Sequence, residues 1–377
     1  MSGQNIAILL DAAPSTWTSQ QDQHSKLCEA LVERGLQPVL VFSDTIPPAI
    51  AARLQSTGAQ VAAINYGQGC STYFRELQGL VKKFSITTAH IIFFDYFSAV
   101  PWVTRLTGVR HIIYEMQNSG MFRATSWRKT LLQFRTKLTT APVTRVIAIS
   151  EFVKEQLVKG GIADDKIIVR YLGVDFKRFA PNPYARQRLA REFDVRDNEV
   201  VVSTVSYLRP FKNPQVLVRA CKELATRQVP VRLFVAGGGD MLPGLQELSR
   251  QLGVDDRIHW LGNVDDPTSL LQASDIFVLA SVGEAFGLVL AEAMACGVPI
   301  VGSRSGSLVE VVADGQTGLL VTPLDTGSFA DGIEDLARDG DLRRRMGMRA
   351  IERVLERFTV EKAVEGTIRI YEALWDR

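Results

Sequence analysis

Short hydrophobic runs alternate with amphipathic segments along nearly the whole chain. Helical patterns such as His24–Glu33 and Phe152–Lys159 separate the runs, which is typical of a parallel sheet covered on both faces. Seven strands are predicted in the first half: Ile6–Leu10, Pro38–Phe42, Gln60–Ile64, Ile91–Asp95, His111–Tyr114, Val146–Ile149 and Ile167–Arg170. Six more are predicted in the second half: Val200–Ser206, Val231–Ala236, Ile258–Leu261, Ile276–Ala280, Ile300–Val301 and Leu319–Val321.

The strand pattern restarts after a turn-rich stretch from Gly173 to Pro183. We therefore predict an α/β protein with two doubly wound parallel-sheet domains, residues 1–180 and 181–358, and a last helix over Thr359–Trp375. The length of 377 residues fits two domains, because single cores rarely grow beyond roughly 250–300 residues. Ligands of such domains bind outside the carboxyl ends of the strands, so the expected site is a cleft between the two domains.

Composition excludes several classes of protein. With 46% hydrophobic and 22% charged residues, the chain is neither disordered nor collagen-like. The four cysteines, at positions 28, 70, 221 and 296, lack metal or redox spacing, which indicates reduced thiols in a cytoplasmic protein. The beginning of the sequence does not resemble a signal peptide, and no apolar run reaches the roughly 20 residues that span a bilayer. Any membrane contact is therefore expected to be peripheral, on the inner face.

Charge divides the chain into a basic and an acidic half. Residues 1–180 hold 20 Lys and Arg against 13 Asp and Glu, whereas residues 181–377 hold 23 against 28. The basic excess favours an anionic partner, although a solvated basic face is the alternative.

Residues 116–150 contain six basic and no acidic residues, with aromatic and aliphatic residues between them, as in segments that lie on anionic lipid. An ordinary helix with a basic solvent face is the alternative there, and no recognition motif indicates nucleic acid. The basic residues are Arg123, Arg128, Lys129, Arg135, Lys137 and Arg145, and the apolar ones are Phe122, Trp127, Leu131, Leu132 and Phe134.

The clearest chemical signal follows the predicted strand Ile276–Ala280. A small-residue loop containing Glu284 leads into a helix that starts near Gly287, and backbone N–H groups at a helix start favour a phosphate. Glu292 lies about two turns into that helix, near the same face as Glu284. A carboxylate in such an apolar segment is expensive unless it is bonded, so we interpret both as binding residues rather than as a cap and a solvated side chain.

Other polar groups are predicted at strand ends. Lys212 and Arg209 lie in a loop after Val200–Ser206, where basic groups suit an anion. Asp95 ends the strand Ile91–Phe94, so it is either an acceptor-orienting group or base, or the N-cap of the next helix. The four scattered histidines are interpreted as structural. Asp339-Gly340-Asp341 is interpreted as a turn and cap, and we expect no cofactor and no essential metal.

In this order and spacing, the motifs resemble those of glycosyltransferase family 4, the retaining nucleotide-sugar transferases of the GT-B fold. Glu284 to Glu292 is similar to the family's E-x7-E motif. The other resembling segments are Val146–Glu151, Leu172–Phe176 with Phe179, Leu208–Asn213, Ala236–Asp240, Gly302, Ser303–Glu310 and Gly315–Leu320.

The resemblance implies a role for each matching residue. Glu284 would hold the transferred sugar, Glu292 the ribose hydroxyls, and Lys212 the diphosphate. Backbone N–H groups near the helix start would meet the phosphate–sugar junction, at Ala285, Phe286, Gly287 and Leu288. The donor side would further include Tyr207, Gly237, Gly238, Gly262 and Asn263. The acceptor side would include Thr18, Ser19, Met116, Gln117 and Asn118. The last helix, about 359–377, would pack back on the first domain.

The chain departs from the family pattern at three places. The family's donor-loop Arg falls at Tyr207, with Arg209 two residues later. Its Gly-Gly falls near Thr18–Ser19, and its His after the fifth strand falls near Met116. The donor half therefore matches better than the acceptor half.

We predict from this a retaining glycosyltransferase that moves a sugar from a nucleoside diphosphate, most often UDP in the family, to an acceptor hydroxyl. The acceptor would be a saccharide, a lipid-linked group or a small molecule. One alternative is another GT-B activity, an epimerase or a phosphorylase; another is a nucleotide-sugar-binding protein without turnover. A nicotinamide dehydrogenase is disfavoured, because Asp11-Ala12-Ala13-Pro14 replaces G-x-G-x-x-G after the first strand.

Overall fold

A computed structural model describes residues 5–95, 97–118 and 126–376 of the protein, without the side chains of residues 68 and 126–129. The chain divides into two compact units. The first unit comprises Met1–Leu172 and Val360–Arg377, and the second comprises Gly173–Thr359.

The first unit contains a seven-stranded parallel sheet in the order β3-β2-β1-β4-β5-β6-β7. Its strands are β1 Asn5–Leu10, β2 Pro38–Phe42, β3 Gln60–Ala63, β4 Ile86–Ile92, β5 His111–Met116, β6 Arg145–Ala148 and β7 Ile167–Val169. Its helices up to this point of the chain are α1 Ser19–Glu33, α2 Pro48–Gln55, α3 Cys70–Phe84, α4 Val100–Leu106, α5 Ser126–Thr139 and α6 Glu151–Lys159.

The second unit contains a six-stranded parallel sheet in the order β10-β9-β8-β11-β12-β13. Its strands are β8 Val200–Val205, β9 Val231–Ala236, β10 Ile258–Gly262, β11 Ile276–Leu279, β12 Ile300–Ser303 and β13 Gly318–Val321. Its helices are α7 Phe176–Phe179, α8 Ala185–Phe193, α9 Pro214–Thr226, α10 Leu242–Leu252, α11 Thr268–Ala273, α12 Leu288–Ala295, α13 Leu308–Val311, α14 Thr326–Arg338 and α15 Gly340–Arg357.

Both sheets bury apolar side chains against their helices. Ile6, Ile8 and Leu10 of β1 pack in the core of the first unit, and Val200 and Val202 of β8 in that of the second. Burying a side chain of this size stabilises a fold by roughly 1.5–3 kcal/mol. The two-sheet α/β fold predicted from the sequence is thus confirmed, and the predicted strands lie near their expected places with the exception of β4.

The last helix, α16 Val360–Trp375, packs on α1 within the first unit. Tyr371 is fully buried there, and its hydroxyl shares a 2.6 Å hydrogen bond with His90 Nδ1. The Trp375 indole N–H donates to Thr88 Oγ1 over 3.0 Å. The helix therefore supplies polar partners to the middle of β4.

These partners explain the one strand that the sequence pattern placed wrongly. The pattern predicted Ile91–Asp95, whereas β4 runs from Ile86 to Ile92. Thr88 and His90 are buried in β4, and their polarity hid the strand from a search for hydrophobic runs. At the other end Phe93 has a φ of 70°, which ends the strand before Asp95.

Candidate functional site

The two sheets share a topological feature that positions their loops. In the second unit β8 and β11 are neighbours, and the strand order proceeds outward from them in opposite directions. We call the side of a sheet at which its parallel strands end its carboxyl edge. Loops that follow the two central strands diverge at this edge and leave a crevice, the usual ligand position in such sheets.

Lys212 and Glu284 meet at the carboxyl edge of the second unit. Lys212 follows β8 in a 3-10 turn, Pro210–Lys212, and Glu284 follows β11. Lys212 Nζ lies 2.6 Å from Glu284 Oε2, and both side chains are 15% exposed. An ion pair so poorly solvated places one cation and one anion in the crevice, where electrostatic interactions are stronger than in water.

Backbone contacts hold these two loops together. Val282 N–H donates to the Phe211 carbonyl oxygen over 3.1 Å. Asn213 has a φ of 51°, and its side-chain amide donates to the Ala280 carbonyl oxygen over 3.3 Å. Asn is among the few non-glycine residues that adopt this left-handed conformation readily. The turn at Asn213 thus fixes where Lys212 lies relative to β11.

A third loop, which follows β12, fixes the backbone of Glu284. Ser307 N–H donates to the Glu284 carbonyl oxygen over 3.1 Å, and Gly283 N–H donates to Ser305 Oγ over 3.2 Å. A Cβ on Gly306 would lie 2.7 Å from the Glu284 nitrogen, so only glycine fits between them. These loop residues were not predicted individually from the sequence, in which the Ser-Gly-Ser order at 305–307 was the available signal.

The helix α12 begins directly after the Glu284 loop. Gly287 is its N-cap residue with a φ of 75° and, as a glycine, offers no side chain to cap the helix. Phe286 is buried against Phe358, whereas Ala285 and Leu288 are partly buried. The N-terminal dipole of α12 therefore lies beside the Lys212–Glu284 pair.

Glu292 lies in α12 and is 9% exposed, which excludes the interpretation as a solvated helix residue. Its charge, after burial itself, contributes to raising the pKa of the Cys296 thiol one turn later. A carboxylate in this position is a strong hydrogen-bond acceptor on the helix that follows the Glu284 loop.

Two glycine turns lie farther along the same carboxyl edge. Gly237 has a φ of 137°, and a Cβ there would lie 1.9 Å from the Ser206 carbonyl oxygen. Gly238 N–H donates to Asn263 Oδ1 over 2.8 Å, and Gly237 N–H donates to the Gly262 carbonyl oxygen over 2.6 Å. The structure thus brings the predicted donor residues Gly237, Gly238, Gly262 and Asn263 together, with the residue before Tyr207 packed against them.

Arg209 is placed differently from Lys212. Its guanidinium lies over the Tyr207 ring, 4.6 Å from the ring centre, and both side chains are exposed. The two residues that replace the family's donor-loop Arg therefore contact each other at the rim of this edge.

At the carboxyl edge of the first unit, predicted acceptor-side residues cap and support the structure. Thr18 is the N-cap of α1 and forms a capping box with Gln21. Ser19 and Met116 are buried, whereas Asn118 is exposed. Gln117 Oε1 accepts from Gln20 Nε2 over 3.2 Å, so the start of α1 and the end of β5 are brought together.

A buried polar network that was not predicted from the sequence supports this region. Glu115 and Arg170 are almost fully buried and form an ion pair, and Gln117 Nε2 donates to Glu115 Oε1 over 2.7 Å. His90 Nε2 lies 3.2 Å from Glu115 Oε2. Although burial alone would raise the pKa of Glu115, Arg170 and His90 hold it well below its usual range. Burial lowers the pKa of the neighbouring His24 to about 4.

Asp95 is neither a strand end nor the cap of a helix. It lies three residues after β4, is exposed, and its carboxylate accepts from Phe97 N–H over 3.2 Å. The N-cap of the next helix is Ala99. The predicted strand end at Asp95 is therefore wrong, and so is the alternative in which Asp95 caps the next helix. Asp339 does cap a helix, α15, by accepting from Leu342 N–H, as predicted for Asp339-Gly340-Asp341.

Two family models match the chain. The model Glycosyltransferase Family 4 matches residues 25–178, and the model Glycosyl transferases group 1 matches residues 185–353.

Curated relatives match over part of their length. The N-acetyl-alpha-D-glucosaminyl L-malate synthase of Bacillus anthracis is 39% identical over 184 residues, 49% of this chain and 48% of the relative. The D-inositol 3-phosphate glycosyltransferase of Nocardia farcinica is 33% identical over 295 residues, 74% of this chain and 64% of the relative. The chain thus spans about half to just under two-thirds of the length of these relatives.

Solved structures match over nearly the full chain. HepE of Anabaena, in complex with UDP and glucose, has a TM-score of 0.82 at 21% identity, covering 99% of this chain and 100% of that one. The sucrose-phosphate synthase of Thermosynechococcus elongatus has a TM-score of 0.79 at 22% identity, covering 99% of each. At such identities the likeness establishes the fold alone, which is the one predicted.

Proposed function

Because the chain belongs to glycosyltransferase family 4 and has its GT-B fold, we propose that it is a retaining glycosyltransferase. It would transfer a sugar from a nucleoside diphosphate, UDP in the first instance, to an acceptor hydroxyl. The bond from the anomeric carbon to the diphosphate breaks, and the acceptor oxygen bonds that carbon on the same face. The diphosphate leaves with the electron pair, and one of its oxygens takes the proton of the acceptor hydroxyl.

The observation that carries this proposal is the Lys212–Glu284 pair at the switch point of the second sheet. Negative charge develops on the diphosphate as the glycosidic bond breaks, and a preorganised cation in a poorly solvated crevice stabilises it. Lys212 supplies that cation, and the N-terminus of α12 adds partial positive charge. Glu284, held by the loop after β12, accepts hydrogen bonds from the transferred sugar.

The rest of this edge would hold the nucleoside. Glu292 would accept hydrogen bonds from both ribose hydroxyls. This role would explain why an otherwise apolar helix contains a buried carboxylate. The glycine turn at 237–238 leaves the backbone free of side chains, so a ligand can approach it closely. HepE of Anabaena was solved with UDP, which supports UDP as the first donor nucleotide to test.

A thermal shift with UDP, GDP, ADP, CMP and NAD tests the proposed donor site. A ligand at 100 times its Kd stabilises a protein by about 2.7 kcal/mol, a shift of a few degrees. We expect one nucleoside diphosphate to stabilise the wild type and Glu356→Gln, a matched control on the exposed side of α15, but to have much less effect on Glu292→Gln. The absence of a shift with every diphosphate would contradict the proposal. A shift without transfer from the matching sugar nucleotides to any acceptor would instead indicate the non-catalytic alternative.

We further propose that α5 contacts an anionic membrane surface. Three apolar side chains on one face of this helix are more than half exposed, namely Leu131, Phe134 and Leu138. The exposed basic residues Arg135 and Lys137 lie between Phe134 and Leu138 in the sequence. An apolar stripe flanked by basic residues is the pattern of helices that lie in a lipid interface. The predicted residues Phe122 and Arg123, as well as the side chains of residues 127–129, lie outside the described residues.

None of the helices in the described ranges combines the length and hydropathy needed to cross a bilayer. Co-sedimentation with phosphatidylcholine vesicles, prepared with and without phosphatidylglycerol, tests whether the protein binds an anionic membrane surface. We expect binding only to the anionic vesicles, and a clear loss in Phe134→Ser. Leu355→Ser, which removes an exposed apolar side chain of the second unit, is the matched control. Equal recovery of wild type and Phe134→Ser on anionic vesicles would leave α5 as an ordinary surface helix.

A further inference from the structure

The carboxyl edge of the first unit contains a cavity that the sequence analysis did not find. Its volume is about 350 Å3, within the range of roughly 300–1,000 Å3 typical of small-molecule pockets. It is lined by Asp11, which follows β1, by Asp95 and its neighbours after β4, and by Tyr66 and Tyr73. Because β1 and β4 are the central neighbours of this sheet, the cavity lies at the switch point of the first unit, where a ligand is expected.

The wall of the cavity contains a buried hydroxyl group that has no partner among the described residues. The Tyr66 hydroxyl is buried and makes no hydrogen bond within the described part of the chain, whereas the Tyr73 hydroxyl lies beside that of Thr104. Tyr73 is 3% exposed, and the Tyr66 ring is fixed by edge contacts with Tyr73 and Phe94, at 4.8 and 4.6 Å between ring centres. A buried polar group without a partner is destabilising, so its retention indicates a ligand that completes the hydrogen bond.

The charge of the cavity limits what that ligand can be. Its two charged side chains, Asp11 and Asp95, are both acidic, and no Lys, Arg or His is among the described residues that line it. The Arg135 guanidinium lies over the Phe97 ring, 4.2 Å from its centre, and is not part of the lining. Carboxylates accept hydrogen bonds from hydroxyl and ammonium groups, whereas they repel a phosphate or a carboxylate.

We propose that this cavity binds a hydroxyl-rich small molecule that carries no anionic group, and that this molecule is the acceptor of the transfer reaction. The second half of the statement rests on the function proposed above. In this the chain would differ from two of its relatives, whose names specify the anions D-inositol 3-phosphate and L-malate. Asp11, Asp95 and the Tyr66 hydroxyl would set the preference, because the carboxylates accept hydrogen bonds from the ligand's hydroxyl groups and the Tyr66 hydroxyl donates one to them.

Matched pairs of ligands that differ only in a phosphate provide the test. The pairs are myo-inositol against inositol 3-phosphate, and glucosamine against glucosamine 6-phosphate, titrated into the full chain by calorimetry. We expect at least one uncharged or amino member to bind about tenfold more tightly than its phosphorylated partner. Tyr66→Phe should weaken that binding by about fivefold, the loss of one hydrogen bond, whereas Tyr184→Phe, at an exposed tyrosine of the second unit, should not. Asp11→Asn should reduce the preference against phosphate.

Two results would overturn the inference: tighter or equal binding of the phosphorylated members, or no binding of any probe at concentrations up to about 10 mM, well above a Kd of 1 mM. These outcomes are separable from a failure of the proposed function. The nucleotide thermal shift reports on the second unit alone, so it can be lost while the ligand preference remains, or remain while the preference is absent.

Discussion

The two sheets share the same strand order apart from a seventh strand in the first, but their carboxyl edges are built differently. In the second unit the edge is mostly backbone: glycines at 237, 238, 287 and 306 leave room for close contacts, and Lys212 and Glu284 stand out from them. In the first unit the edge is mostly side chains, with a buried charge network, a capping box and the Tyr66 hydroxyl, which has no partner among the described residues. The difference shows that two sheets of one topology can form their carboxyl edges either from close backbone contacts or from paired side chains.

The largest expected effect is a loss of stability when the buried charge network at the carboxyl edge of the first unit is broken. Glu115→Gln leaves the buried Arg170 without its charged partner, and breaking such a pair costs about 3–5 kcal/mol. Calorimetry should show a fall in Tm of roughly 10 °C. Glu29→Gln, which removes the partner of the exposed Lys26, is the control and should cost less than about 1 kcal/mol. Equal effects of the two substitutions would mean that the network does not support the first unit.

At the carboxyl edge of the second unit, we expect a substitution to lower the catalytic rate rather than the stability of the protein. Lys212→Met should lower kcat by about 10²–10³-fold, the usual effect of removing one group that stabilises developing charge. Lys222→Met, at an exposed position of α9 in the same unit, should retain the wild-type rate. Single-turnover measurements with the donor that the thermal shift identifies would decide. A Lys212→Met enzyme of unchanged kcat would remove Lys212 from the mechanism.

The close backbone contacts at the carboxyl edge of the second unit can be tested by adding a single methyl group. Gly237→Ala places a Cβ against the Ser206 carbonyl oxygen at a φ of 137°, so we expect a loss of about 2–3 kcal/mol. Gly244→Ala in α10 has open space and should instead stabilise by about 0.5–1 kcal/mol. Urea unfolding of the two variants gives both values. A neutral Gly237→Ala would show that the turn at 237 is adaptable rather than fixed.

The smallest expected effect concerns Thr18, which is the N-cap residue of α1 and is also predicted to lie on the acceptor side. As the N-cap of α1, it should contribute about 1 kcal/mol, which Thr18→Ala removes and Thr18→Ser largely keeps. Urea unfolding measures this difference. If Thr18→Ala is as stable as the wild type, its hydroxyl is not needed by the helix.

The same contrast explains what the sequence could and could not predict. Continuous hydrophobic strands are local patterns, so their positions were predictable, and the E-x7-E spacing together with glycine turns identified the second unit's edge. The N-terminal part of β4 was missed, because Thr88 and His90 obtain their partners from α16, over 280 residues later. The cavity was missed for the same reason: Asp11, Tyr66 and Asp95 come from separate segments, and only the folded sheet brings them together.

The position of α16 has a consequence for how the protein is made. The chain leaves the first unit at Leu172 and returns to it at Val360, after the whole of Gly173–Thr359 has been synthesised. Tyr371, a buried core residue of the first unit, emerges from the ribosome only after the second unit. Since domains fold as units during translation, the unit that begins first on the ribosome is completed last. Until then the α1 surface that α16 covers, together with the polar groups of β4, is exposed in the nascent chain.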